Sequence, residues 1–164
     1  MPQKDALIAE LKQEAVNTRK MLERVPEDKF LWKPHEKSMT IGRLASHIAE
    51  IPVWINRTLT ANEFDFATAS MVRTTYENRA ALLKVFDEKQ AEAIAALQNT
   101  TDEMLNETYS VRRGEQVMFA MPRKVNLRNF AFNHLIHHRG QLSVNLRLLD
   151  VPVPGMYGPS ADER

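Results

Sequence analysis

The chain contains no cysteine, which rules out disulfides, thiolate-held zinc, iron–sulfur clusters and a cysteine nucleophile. Any metal it binds must use nitrogen and oxygen donors. Long hydrophobic runs are also missing. No stretch approaches the ~18 apolar residues of a membrane-spanning helix, and the amino-terminal MPQKDALIAELKQEA is charged and amphipathic without the apolar centre of a signal peptide. A cytoplasmic protein without membrane association is expected. Neither sign of charge dominates: Lys and Arg total 22 against 21 Asp and Glu, a formal +1. The basic residues are scattered rather than massed, which does not favour a nucleic-acid partner. With 164 residues and 43% hydrophobic content, the chain is expected to form a single domain over 1–164 with its own core.

Hydrophobic spacing predicts four long helices. Leu7, Ile8, Leu11, Ala15, Val16 and Leu22 recur at helical intervals from Asp5 to about Arg24, and Pro26 closes that helix. The stretch PEDKFLWKPHEKSM shows no sustained period and reads as a loop, with Ser38 or Thr40 able to cap a second helix. In IGRLASHIAEIPVWINRTL, a wide apolar stripe runs from Ile41 to Leu59. Pro52 lacks an amide donor and crowds the Ile48 carbonyl, so this second helix is predicted to bend just beyond His47. Tyr76, Ala80, Leu83, Phe86, Ala93, Ile94 and Leu97 mark the third helix. The segment 100–123 permits either a short hairpin around Arg113-Gly114 or an irregular crossover, and the irregular form is the expectation. A fourth helix spans about Leu127 to Leu149, before a Pro- and Gly-rich extended tail. The expected class is all-α, a four-helix bundle with long crossover connections.

The chemistry sits on two of these helices. His134 and His138 are four residues apart, about 400° of helix, so they project from one face a turn apart and can reach one metal ion. Gln141 and Asn145 continue the same polar row through an otherwise apolar face. Left unpaired, each such group would cost on the order of 1–3 kcal/mol to bury. His47 lies within the apolar stripe of the second helix. The three imidazoles fit a metal site of three nitrogen ligands with open positions, and equally three core histidines satisfied by hydrogen bonds. His137 points to the edge of the face and reads as supporting or structural. Glu50, three residues after His47, is a candidate proton acceptor or catalytic group. Arg139 could counter an anionic substrate or form a surface ion pair. Trp32 and Trp54 read as packing residues near a pocket mouth.

HHRGQL followed by VNLRLL and VPVPGMYGPSADE, together with KPHEKSMTIGRLASHIAEIP, resembles the DinB family of damage-inducible bacterial proteins. The likeness runs from about Leu31 through Glu163. It implies a DinB-like four-helix bundle, commonly a homodimer, in which His47, His134 and His138 hold nickel or zinc. The wider superfamily includes enzymes that use low-molecular-weight thiols such as mycothiol or bacillithiol, among them S-transferases and maleylpyruvate isomerase. Gln141, Asn145 and Arg139 then become candidates for binding cofactor or substrate. Three neutral imidazoles leave the charge of a divalent cation uncompensated, which activates a water or a thiol near neutral pH. Three functions are compatible with such a site. The first is a metal-dependent transferase that activates a small thiol toward an electrophile, the second a metal-dependent hydrolase, and the third a noncatalytic metal or stress-ligand binding module.

Overall fold

The computed structural model describes residues 2–70 and 73–163. Helix α1 (Gln3–Leu22) buries Leu7, Leu11, Glu14, Thr18, Met21 and Leu22, a face that advances by three or four residues at each step. A 3₁₀ turn at Glu27–Lys29 leads to α2 (Ile41–Glu50). The Thr40 hydroxyl accepts the Arg43 N–H at 3.2 Å and caps α2, as the sequence suggests. The helix stops where Pro52 cannot donate to Ile48. In its place the Ile51 N–H is shared between the carbonyls of His47 and Ile48, and the chain resumes as α3 (Val53–Thr60). Strand β1 (Glu63–Asp65) follows, then α4 (Arg79–Gln98), capped by the Asn78 side chain, and the short α5 (Asp102–Asn106).

The segment expected to be irregular is instead an antiparallel hairpin, β2 (Thr108–Arg113) and β3 (Gln116–Pro122), turning through Gly114 at φ 59°. Glycine takes that left-handed conformation without the Cβ clash that other residues meet. The register slips at Val111/Arg112, which leaves Met118 without a direct partner. Strand β1 adds to β2 in parallel, so the molecule is mostly helical with a three-stranded sheet rather than purely α. Tyr109, Val111 and Phe64 form the buried side of this sheet.

The last helical stretch is not uniform. Helix α6 (Arg123–Leu127) passes through a π-turn at Arg128–Phe132 into α7 (Asn133–Leu148). Helix α4 packs on α1, α2 and α3, and α7 packs on α2 and α1. One part of the core joins Leu22, Ile41, Ile48, Phe86, Leu135 and Leu142. The other joins Leu7, Leu11, Ile55, Leu97, Leu127 and Phe132. Each such side chain contributes about 1.5–3 kcal/mol by leaving water. Among the described residues no helix is long and apolar enough to cross a membrane.

Two buried arginines tie the elements together. The Arg123 guanidinium donates to the carbonyls of Thr58 and Ala61 at the end of α3 and to Asn62 Oδ1 at 2.8 Å, closing α3 with a cation where its dipole is negative. Arg139 on α7 pairs with Glu14 on α1, donates to Thr18 Oγ1 at 3.0 Å, and donates to the Tyr157 hydroxyl, which itself donates to Glu14. The Arg139 and Glu14 side chains are only 3% and 8% exposed. Arg139→Met would leave the Glu14 carboxylate buried and unpaired, so a loss of about 3–5 kcal/mol in urea-unfolding free energy is expected. Arg19→Met, which removes exposed pairs with Glu23 and Asp87, should cost no more than about 1–2 kcal/mol. Equal losses from the two substitutions would show that the buried pair is no special constraint.

Candidate metal centre

Helix α2 carries His47 to the point where α7 presents His134 and His138. One ligand nitrogen from each ring lies within 4.8 Å of the other two. The Nε2 atoms of His47 and His134 are 3.1 Å apart, and the ring centroids are separated by 4.9, 4.6 and 4.7 Å around the triangle. Two nitrogens bound to one zinc ion at about 2.0–2.1 Å in a tetrahedron are about 3.3 Å apart, so the closest pair already has the spacing of shared coordination. The residues therefore fit a divalent cation.

The outer nitrogens of two rings are held in a way that suits coordination. His134 Nδ1 meets the Phe130 carbonyl at 3.3 Å and His138 Nδ1 meets Gln141 Oε1 at 2.8 Å. Both oxygens can only accept, so each keeps the ring proton on Nδ1 and leaves the Nε2 lone pair facing inward. Burial lowers the pKa of all three histidines. It brings His47 to about 4, with further lowering from His138, His134, Arg43 and Arg73. For His134 and His138 burial outweighs the opposing hydrogen bonds from Phe130 and Gln141. At neutral pH the rings are uncharged, the protonation state in which imidazole binds metal.

A cavity of about 610 Å³ opens beside the cluster, with His47 and His138 in its wall. Glu50 faces this cavity, where it accepts from Arg43 at 3.3 Å and from the Tyr76 hydroxyl at 3.3 Å. Trp54 also lines it, while Trp32 packs against the core. A second cavity of about 440 Å³ lies across His138 and is lined by Gln141, Asn145, Ser38 and Lys37. The structure thus gathers His47, His134, His138, Glu50, Gln141 and Asn145 at one place. Arg139 is not brought there, since it turns to Glu14 and Tyr157 on the opposite side of α7. The exposed His137 ring touches His138, with centroids 4.8 Å apart, but stays outside the ligand triangle. Arg43, Arg57, Arg73, Tyr76 and Lys89 also line the cavity, although the sequence does not single them out. For Arg43 a signal exists, its place four residues before His47, one turn away on the same face. Arg73, Tyr76 and Lys89 arrive from distant segments and leave no local signal.

The histidine shifts fix a pH dependence for the metal-free protein. An unfolded His47 titrates near 6.5 and the folded one near 4, so between those values the unfolded chain holds more protons. His134 and His138 act in the same direction. Their contribution to stability is complete above about pH 6.5 and is lost as the pH falls toward 4. The thermal midpoint of metal-free protein should decline across this window, and His47→Phe should flatten the decline. A midpoint that rises on acidification between pH 6.5 and 4 would contradict this electrostatic account.

Known proteins share this fold. A YjoA protein of uncharacterised function from Bacillus subtilis (strain 168) is 30% identical over 134 residues, covering 79% of this chain and 80% of the relative. YrdA from the same organism, also uncharacterised, is 29% identical over 157 residues, covering 92% and 85%. A DinB-like protein from Bacillus cereus ATCC 10987 superposes with a TM-score of 0.69 at 24% identity, over 89% of this chain and 92% of the other. The crystal structure of B. subtilis YjoA gives 0.69 at 18% identity, over 97% and 99%. The sequence profile of the DinB family matches residues 1–164 from end to end, and the chain belongs to the DinB family.

Proposed function

We propose that this protein binds a divalent cation, nickel or zinc, through His47, His134 and His138, and acts as a transferase that directs a low-molecular-weight thiol at a small electrophile. The observation that carries this reading is the set of three neutral imidazoles within 4.8 Å, two of them oriented by fixed acceptors, beside an open cavity. Bound there, the cation would act as a Lewis acid, lowering the pKa of a thiol or water that reaches it. The thiol has to come from outside, because the chain has no cysteine. Glu50 is the carboxylate in the cavity wall suited to accept the thiol proton as sulfur bonds to the electrophile and the leaving group departs with its electron pair. Gln141 holds His138, and Asn145 borders the cavity on the other side of that ring.

A hydrolase is the second reading, and Glu50 favours it, since the same carboxylate could accept a proton from water. The working unit is read as a homodimer. Ile136, Val144 and Leu148, 36%, 59% and 59% exposed, fall on one face of α7 at spacings of eight and four residues, and offer an apolar surface for a second copy.

Protein prepared without a histidine tag should carry one metal ion per chain. His47→Ala and His138→Ala should each abolish that stoichiometry in elemental analysis, and retention of metal by both would contradict the ligand set. Gln141→Leu should weaken metal affinity by about 10–100-fold in chelator competition while the fold persists. Turnover of electrophiles should require metal and added thiol together. Thiol-independent cleavage that a chelator stops would transfer the assignment to the hydrolase, and absence of both activities in metal-loaded protein would leave a binding module.

A further inference from the structure

The cavity beside the histidines has a composition that the metal reading does not use. Four cationic side chains line it, Arg43, Arg57, Arg73 and Lys89, against a single carboxylate, Glu50. Arg43 is committed to Glu50 at 3.3 Å, and Lys89 is paired with Glu92 at 2.8 Å. Arg73 has no carboxylate partner among the described residues. Arg57 lies against aromatic rings, its guanidinium carbon 5.1 Å from the centre of Trp54 and 5.3 Å from that of Phe64. Met39, Ile51, Val53 and Trp54 add apolar surface to the wall, beside His47, His138, Ser70 and Tyr76.

An excess of positive charge together with apolar and aromatic surface in one cavity defines a ligand class. We propose that the cavity takes an amphipathic anion, with its carboxylate or phosphate against Arg57 and Arg73 and its apolar body on Trp54 and Met39. This deepens the transferase reading by naming the substrate that would meet the thiol, and it rests on that reading only for the substrate's fate. The field of Arg73 already reaches His47, so an anionic head at the arginines would lie close to the histidine cluster. The volume of about 610 Å³ suits a small organic molecule rather than a peptide or polymer. With a divalent cation on three uncharged imidazoles the excess of positive charge grows, which strengthens the preference for an anion.

Calorimetric titration of metal-free protein isolates the arginines from the metal. Naphthalene-2-carboxylate, 2-naphthyl phosphate and the uncharged naphthalene-2-carboxamide share one apolar body and differ in the head group. Both anions should bind at least about tenfold more tightly than the carboxamide, equivalent to about 1.4 kcal/mol. Their relative order identifies which head group the site prefers. Arg73→Gln should erase most of that preference, leave carboxamide affinity unchanged and reduce the salt dependence of anion binding, and Arg57→Gln should also lower the preference. Equal affinity for charged and uncharged probes, or an undiminished preference in both variants, would overturn the inference. Metal content and thiol-dependent turnover of the same samples separate the two proposals. A missing anion preference with turnover intact removes only the substrate class, and a clear preference without turnover removes only the transferase.

Discussion

Three half-buried imidazoles that face one another set the central constraint. A single proton can bridge one pair of nitrogens, such as the Nε2 atoms of His47 and His134 at 3.1 Å, but the Nδ1 protons of His134 and His138 are held by Phe130 and Gln141, so both of those rings turn lone pairs inward. One donor cannot satisfy two acceptors on separate rings at full strength. Protonating the cluster instead is opposed by burial and by the mutual repulsion of the rings, which brings His47 to about 4. A cation with vacant coordination positions meets all three lone pairs at once. The chemistry proposed for the protein rests on this arrangement of acceptors.

Two departures from regular helix hold the arrangement in place. At Pro52 the missing N–H ends α2 one turn beyond His47, and the chain restarts as α3 to carry Trp54 and Arg57 along the cavity. At Arg128–Phe132 the π-turn sits immediately before His134, and its Phe130 carbonyl receives the His134 ring. A π-turn shifts the rotational phase of all later residues in its helix, and such turns gather at functional sites for that reason. Both irregularities lie close to a histidine of the cluster, so the backbone at this site is shaped around the rings rather than around helix continuity.

Local signals make parts of this readable from sequence. The i, i+4 histidine pair, the Thr40 cap and the break at Pro52 each depend on residues within one turn of each other. The hairpin escapes such a reading because β3 exposes Val117 and Met118, 56% and 48% exposed, and the slipped register at Val111/Arg112 disrupts the alternation that marks a half-buried strand. The parallel pairing of Glu63–Asp65 with β2 joins segments far apart in the chain, and no local pattern encodes it. The π-turn leaves no signal either, because Leu127, Ala131 and Leu135 fit an unbroken helical stripe. Arg139 reads as a neighbour of the histidines because it comes directly after His138. Its true direction depends on Glu14, more than a hundred residues earlier.

That direction bears on the histidine cluster. Arg139 and the histidines occupy different faces of α7, so the buried contact with Glu14 and Thr18 on α1 fixes how far α7 is rotated about its own axis. A turn of one residue's worth, about 100°, would carry His134 and His138 away from His47. Apolar contacts resist such slippage, because it would carry the buried Leu135, Leu142 and Leu146 toward water. The paired charge resists it further, since losing its partner leaves an ion buried. The tail adds to this through Tyr157, whose hydroxyl lies between Arg139 and Glu14. The ion pair therefore acts together with the apolar core in selecting the one rotation of α7 in which the three rings can meet.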